Sequence, residues 1–218
     1  MKSYTLEERT EFYKKAFPDW PPPRVDGRWL SDQWFFGVDG NFSHAGMTGL
    51  FILGNDYRTK ARDSSGKPFY GAYPPNYVER VMALYPDAED VLHLFSGAMP
   101  YSPSYVRFGN KIEPPLGISD FEGDAHALDQ FYANNRFDLV MADPPYSPDD
   151  AKKYDMPYLN HSTVLAQIHK VMRIGGTLVW LDTKWPMHSK DQWQTYGFIG
   201  IVRSTNHRYR IATFMRKV

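Results

Sequence analysis

Four consecutive residues, Asp143-Pro144-Pro145-Tyr146, join an acid, two residues without a backbone N–H and an aromatic ring. A rim built from them offers hydrogen-bond acceptors only: the Asp143 carboxylate and the prolyl carbonyls. Tyr146 adds a flat aromatic face. Acceptors beside a stacking surface suit a planar ring that carries an exocyclic amine, because the amine donates two hydrogen bonds while the ring stacks. An isolated tetrapeptide of this kind is more often a proline turn with a surface Asp. Its place directly behind the apolar run Phe137-Asp138-Leu139-Val140-Met141-Ala142 turns the reading towards chemistry.

A strand has to end where Asp143 begins, and other strands have to bring partners beside it. Phe137 to Ala142 reads as that strand. Val91-Leu92-His93-Leu94-Phe95 is a second apolar run, followed by a turn at Ser96-Gly97. Tyr105 to Ile112 and Gly117 to Phe121 are weaker strand candidates, and Thr177 to Leu181 is a strong one. Phe198 to Val202 and Arg210 to Phe214 close the chain, separated by the polar loop Arg203-Ser204-Thr205-Asn206-His207-Arg208. Helical spacing predicts one helix around Tyr77 to Tyr85, bounded by Pro74-Pro75 and Pro86, and another carrying Val164, Leu165, Ile168, Val171 and Met172. Ser162 or Thr163 would cap the latter and Gly175-Gly176 would stop it. Alternating strands and helices imply an α/β fold with a mainly parallel sheet, and the last two strands read as an antiparallel hairpin at its edge. Ligands of open parallel sheets bind beyond the carboxyl ends of the strands. The residues expected there are Ser96-Gly97, Glu113, Asp124, Asp143 to Tyr146 and Asp182.

Against this pattern the sequence resembles a known family. Ala142-Asp143-Pro144-Pro145-Tyr146 resembles the catalytic motif of S-adenosylmethionine-dependent amino-methyltransferases. The leading Asp is most typical of adenine-N6 DNA enzymes, small phage-type ones among them. Leu94-Phe95-Ser96-Gly97 resembles their first cofactor motif, and the likeness covers roughly residues 70 to 218. It implies a Rossmann-like sheet of the class I methyltransferase type, S-adenosylmethionine as cofactor, and methyl transfer to an exocyclic base amine, first of all N6 of adenine in DNA. The roles it implies are as follows. Phe95, Ser96 and Gly97 form the turn around the methionine part of the cofactor, and Tyr73-Pro74-Pro75 closes over it. Glu113, about twenty residues beyond Leu94, accepts from the ribose hydroxyls. Asp124, beside Ala125, accepts from the cofactor's adenine amine. Asp143 and Pro144 hold the target amine, and Pro145 and Tyr146 complete the rim, with Tyr146 stacking on the base. Two positions depart from the pattern. His93 stands where an acid usually opens the first motif, and Met99 replaces its second Gly. His93 is open to two readings, a core histidine and a cofactor contact.

The remaining features are less specific. After Asp191 the chain has no acid but carries Arg203, His207, Arg208, Arg210, Arg216 and Lys217. This is either a phosphate-contacting end of the hairpin or a charged sheet edge. Lys184 and Trp185 follow the Thr177 to Leu181 strand and could meet nucleic acid, while Trp185 equally suits packing. Residues 1–69 form an aromatic, Pro- and Gly-rich extension, with one helix over Thr5 to Phe17, ahead of a core at 70–218. Trp20, Trp29 and Trp34-Phe35-Phe36 there suit a small core or a dimer contact better than base stacking. The chain has no Cys, so cysteine-based catalysis, disulfides and thiolate metal sites are excluded. The histidines lack metal-ligand spacing, and no metal is expected. Lys plus Arg and Asp plus Glu number 25 each, which excludes a highly cationic DNA-coating protein but not a local basic face. No apolar run or leader segment suggests a membrane, so a cytoplasmic protein is expected, in the host cytoplasm if phage-encoded. An RNA base enzyme, a cytosine-N4 enzyme and a non-catalytic binding module of the same fold remain as rivals.

Overall fold

The computed structural model describes residues 4, 6–16, 32–38, 45–53, 73, 77–97, 99–109, 120–154, 156–203 and 209–218. In chain order these form α1 (Leu6–Ala16), β1 (Asp32–Val38), β2 (Ala45–Leu53), α2 (Tyr77–Leu84), β3 (Val91–Leu94), β4 (Val106–Gly109) and β5 (Phe121–Glu122). A 3-10 turn (Ala125–Gln130) leads into β6 (Phe137–Ala142), followed by α3 (Pro148–Lys153), α4 (His161–Val171), β7 (Met172–Asp182), β8 (Trp193–Arg203) and β9 (Tyr209–Lys217).

One sheet joins all the strands in the order β1-β2-β8-β9-β7-β6-β3-β4-β5. Neighbours from β7 to β5 pair in parallel, with Leu92 opposite Val140 and Met141 opposite Val179. β9 runs antiparallel between β7 and β8. Numbered from β3, the seven strands of residues 91–217 follow the order 3-2-1-4-5-7-6, a doubly wound sheet with the reversed seventh strand inserted before the sixth. This is the expected Rossmann-like α/β architecture, a mainly parallel sheet with an antiparallel C-terminal hairpin. The C-terminal hairpin closes that seven-stranded unit but is not the edge of the complete sheet. β2 pairs in parallel with β8, from Met47–Gly197 to Leu53–Arg203, so β1 takes the edge. The chain ahead of the core therefore supplies backbone partners that the sequence pattern did not reveal.

Alternation along the strands builds a core on each face. Leu139 and Met141 of β6, Val179 and Leu181 of β7 and Phe214 of β9 meet Tyr77, Val81 and Leu84 of α2. Val140, Ala142, Leu178, Trp180 and Met215 meet Val164, Leu165, Ile168 and Val171 of α4. α1 docks on α2 through Arg9, whose guanidinium donates to the Leu84 carbonyl at 2.8 Å and covers the Tyr85 ring at 4.3 Å. α4 is capped by Asn160, which accepts from the Thr163 N–H, rather than by Ser162 or Thr163. Gly175 and Gly176 do not stop that helix. They lie in a bulge of β7, where the pairing jumps from Phe137–Met172 to Leu139–Thr177 and Gly175 adopts φ 77°. No described helix is long and apolar enough to cross a membrane.

Candidate active site

β3 is flanked by β4 and β6. The chain winds outward to one side through β4 and β5 and to the other through β6 and β7. The carboxyl ends of β3 and β6 therefore border the topological switch point, where this class of sheet opens a crevice. The Asp143 N–H reaches the Leu94 carbonyl at 3.4 Å and ties the two ends together.

The turn after β3 is built for close approach. Phe95 (φ 62°) and Gly97 (φ 54°) both adopt left-handed backbone, rare for a residue with a side chain. Between them Ser96 is buried. Its N–H donates to the Phe108 carbonyl and its carbonyl accepts from the Met99 N–H, both at 3.2 Å, while its hydroxyl has no partner. Met99, in the place of the motif's second Gly, is buried in the core on the α2 side. His93 is a core histidine. It is fully buried, packs edge-on to Tyr105 at 4.7 Å, and burial lowers its pKa to about 3. The Tyr73 hydroxyl donates to the Met141 carbonyl at 3.1 Å, which assigns the 3.4 Å contact with His93 to a donating Nδ1–H. Nε2 is then the unprotonated nitrogen, and it has no partner. Buried polar atoms are normally paired. The Ser96 hydroxyl, in the turn beyond β3, is the one a polar ligand would complete.

Beyond β6, Pro144 and Pro145 are buried and Asp143 and Tyr146 half-buried. The Tyr146 hydroxyl donates to Asp143 Oδ1 at 2.5 Å and orients the carboxylate. Tyr73 stacks on Tyr77, with ring centroids 5.5 Å apart. The phenols of Tyr73, Tyr77 and Tyr146 are held well above their usual range, first by burial and then by the negative charge of Asp143. All three remain protonated donors at neutral pH. Arg210 comes from β9 and lies over the Tyr146 ring, 5.1 Å from its centroid. The sequence pattern opens the last strand at Arg210, within the basic end of the hairpin, and alternation with Ala212 and Phe214 puts it on the α2 face.

Other expected residues fare differently. Asp124 is exposed and starts the 3-10 turn. Its Oδ1 accepts from the His126 N–H at 2.9 Å and from His126 Nδ1 at 2.6 Å, which lowers its pKa. His126 Nε2 accepts from the Asn160 N–H at 3.0 Å, so Asp124 is fixed between the turn and α4. Ala125 is buried beside it. Asp182 does not join Asp143. It alternates with Leu178 and Trp180, on the α4 face, where Thr183 N–H and Trp180 Nε1 donate to it. His161 lies 3.8 Å from it, its pKa lowered by burial against the pull of that carboxylate. Asp120, just ahead of β5, is taken by Arg107 in a two-point ion pair. Lys184 is exposed, and half-exposed Trp185 rests edge-on against Phe198 at 4.6 Å. Glu113, Pro74, His207 and Arg208 lie outside the described residues, as does the side chain of Arg203. Among the described residues no cluster could hold a metal ion.

No protein-family profile matches the chain, and no curated protein sequence matches it. Solved structures similar to it include TrmN from Thermus thermophilus, at 14% identity over 68% of this chain and 50% of that one, with a TM-score of 0.48. The chain thus spans half the length of TrmN. The N-methyltransferase NodS from Bradyrhizobium japonicum, in complex with S-adenosylhomocysteine, is 13% identical over 66% of this chain and 88% of its own, with a TM-score of 0.41. A 1,6-didemethyltoxoflavin-N1-methyltransferase from Burkholderia thailandensis, with that substrate and S-adenosylhomocysteine, is 13% identical over 60% and 71%, also with a TM-score of 0.41.

Proposed function

We propose that this protein transfers a methyl group from S-adenosylmethionine to an exocyclic base amine, N6 of adenine in DNA. The observation that carries the reading is the meeting of two strand ends at the switch point. One bears a left-handed turn with the buried, unpartnered Ser96 hydroxyl. The other bears Asp143, oriented by Tyr146 and followed by two prolines. The buried, unpartnered Ser96 hydroxyl in a left-handed turn suits a polar cofactor group. Phe95, Ser96 and Gly97 would surround the methionine part of the cofactor with Tyr73 beside it, and Asp124 and Ala125 would meet its adenine; the resemblance assigns Pro74 and Glu113, outside the described residues, to the same methionine part and to the ribose. When bound, the cofactor supplies a methyl group on an electrophilic sulfonium, which calls for no metal and no covalent enzyme intermediate.

The chain's own part is to hold and polarise the amine. The amine lone pair is delocalised into the base ring. Hydrogen bonds from the amine to Asp143 and the Pro144 carbonyl favour a tetrahedral nitrogen and free that pair. The carboxylate also faces the positive charge that develops there. Fixing the line of attack contributes further. A duplex base has to leave the stack to reach this rim, at a cost of a few kcal/mol. Lys184, Trp185, Arg203, His207 and Arg208 would contact the nucleic acid around it. Residues 70–218 act as the catalytic core in this reading, and 1–69 as its extension.

Replacing Asp143 by Ala tests the assignment. Transfer should fall at least about a thousandfold, the scale of losing a pre-oriented polar group at a reacting centre. Affinity for S-adenosylhomocysteine and the unfolding midpoint should stay close to wild type. Retained turnover in Asp143→Ala removes that residue from the mechanism.

A further inference from the structure

Among the described residues, Arg210 is a cation beside the candidate site with buried hydrogen-bond donors left unmade. Its Nε and Nη1 are buried without a partner. Contact with the Tyr146 ring engages the face of the guanidinium and does not satisfy the in-plane N–H groups of these two nitrogens. Buried N–H groups of a charged side chain are costly to leave open, and an anionic oxygen satisfies them best. A second orphan lies close by. The Tyr77 hydroxyl is buried without a partner, and its phenol senses both the Asp143 carboxylate and the Arg210 guanidinium.

Sheet order decides which molecule brings the anion. β9 and β3 lie on opposite sides of β6, so Arg210 approaches Tyr146 from the side away from the turn at Phe95 to Gly97. An acceptor reaching Arg210 therefore belongs to the molecule whose ring sits at Tyr146. In a nucleotide the phosphate lies one sugar away from the base. We propose that Arg210, with the Tyr77 hydroxyl beside it, is the subsite for the phosphate of the target nucleotide and positions its base at Asp143. This rests on the base-amine reading given above. It also assigns the ring faces: Arg210 covers one face of Tyr146, and the base takes the other.

Binding of nucleoside and nucleoside 5′-monophosphate separates this role from a merely structural one. Adenosine is compared with AMP, and cytidine with CMP, for wild type, Arg210→Gln and Arg210→Lys. Wild type should bind the monophosphate of the accepted base at least about tenfold tighter than the nucleoside, the discrimination of a charge-assisted hydrogen bond. Arg210→Gln should abolish that difference, and Arg210→Lys should keep part of it. S-adenosylhomocysteine affinity should stay within about twofold in both variants, which also reports that they are folded. Equal affinity of wild type for nucleoside and monophosphate, or no binding of either at millimolar concentration, overturns the subsite. Loss of S-adenosylhomocysteine affinity in Arg210→Gln, with no change in the phosphate preference, gives Arg210 to the cofactor carboxylate and overturns it too. Failure of wild type to bind S-adenosylhomocysteine at all counts instead against the methyltransferase reading.

Discussion

Asp143 and Tyr146 illustrate how few residues the chemistry needs and how many hold them. The carboxylate is oriented by one phenol, its backbone is tied to β3, and the two prolines beyond it cannot donate. The neighbouring ionisable groups are pushed towards their neutral forms, the phenols by burial and by Asp143, and His93 by burial alone. His93 gives a test at this scale. Its pKa is about 3 in the folded protein against 6.5 in the free side chain. Between those values the unfolded chain binds a proton that the folded chain does not. Stability from this residue is therefore complete above pH 6.5 and is lost as pH falls towards 3, by about 1.4 kcal/mol per pH unit at most. Replacing His93 by Phe should flatten the acid side of the stability profile by up to that slope, measured by urea unfolding between pH 7 and 4. An unchanged slope shows that His93 is protonated in the folded state. Asp143 and Ser96 were legible in the sequence because each follows directly on an apolar run. Arg210 was legible as a basic residue of the hairpin, but its meeting with Tyr146 was not, because the two lie far apart along the chain and meet only through the sheet order. Asp182 does lie at the carboxyl end of β7, and its spacing from Trp180 carried the further signal that it sits on the α4 face, since residues two apart share a face.

At the scale of elements, β7 carries the least expected feature. A strand that must pair with β6 leaves α4 directly, and the bulge between Met172 and Thr177 absorbs the mismatch. Within it Arg173 reaches Asp138 at 2.7 Å and Asp90 at 2.6 Å, and so ties the amino ends of β3 and β6 together. Gly176 is needed there for space. A Cβ would lie 2.9 Å from the Arg173 carbonyl and 3.0 Å from that of Asp138, both backbone atoms with little room to move. Gly176→Ala should cost about 1–3 kcal/mol, the usual penalty of overpacking, with an unchanged denaturant slope. An unfolding midpoint equal to wild type would contradict this placement. The glycine pair was legible as a break in regular structure. Whether it ended a helix or kinked a strand depended on pairing across the sheet, which local spacing does not encode. The short strands β4 and β5 were weak in the sequence for a similar reason, because long-range pairing rather than an apolar run defines them.

For the molecule as a whole, equal numbers of acids and bases leave no net attraction for a polyanion. The basic C-terminal stretch also divides among tasks. Lys217 is buried and donates to Asn135, the His169 carbonyl and the Met172 carbonyl, while Arg216 covers Tyr196 and Arg210 covers Tyr146. Any salt-dependent grip on a nucleic acid beyond the phosphate at Arg210 is therefore proposed to fall to Lys184, Arg203, His207 and Arg208. Removing Arg203 and Arg208 together should lower the slope of log affinity against log salt by about two for a DNA substrate. An unchanged slope removes Arg203 and Arg208 from contact with the nucleic acid. The fold class was legible because alternation of apolar strands with helices survives in the sequence. The joining of β2 to β8 was not, since either edge of the hairpin offered the same unpaired backbone. The central claim is methyl transfer to a base amine. It is tested most directly by incubating the protein with S-adenosylmethionine and unmodified DNA, with RNA in parallel, then digesting to nucleosides and identifying them by mass spectrometry. The account predicts N6-methyladenine in the DNA, absent with Asp143→Ala. No methylated nucleoside from either polymer, with S-adenosylhomocysteine bound, would contradict it.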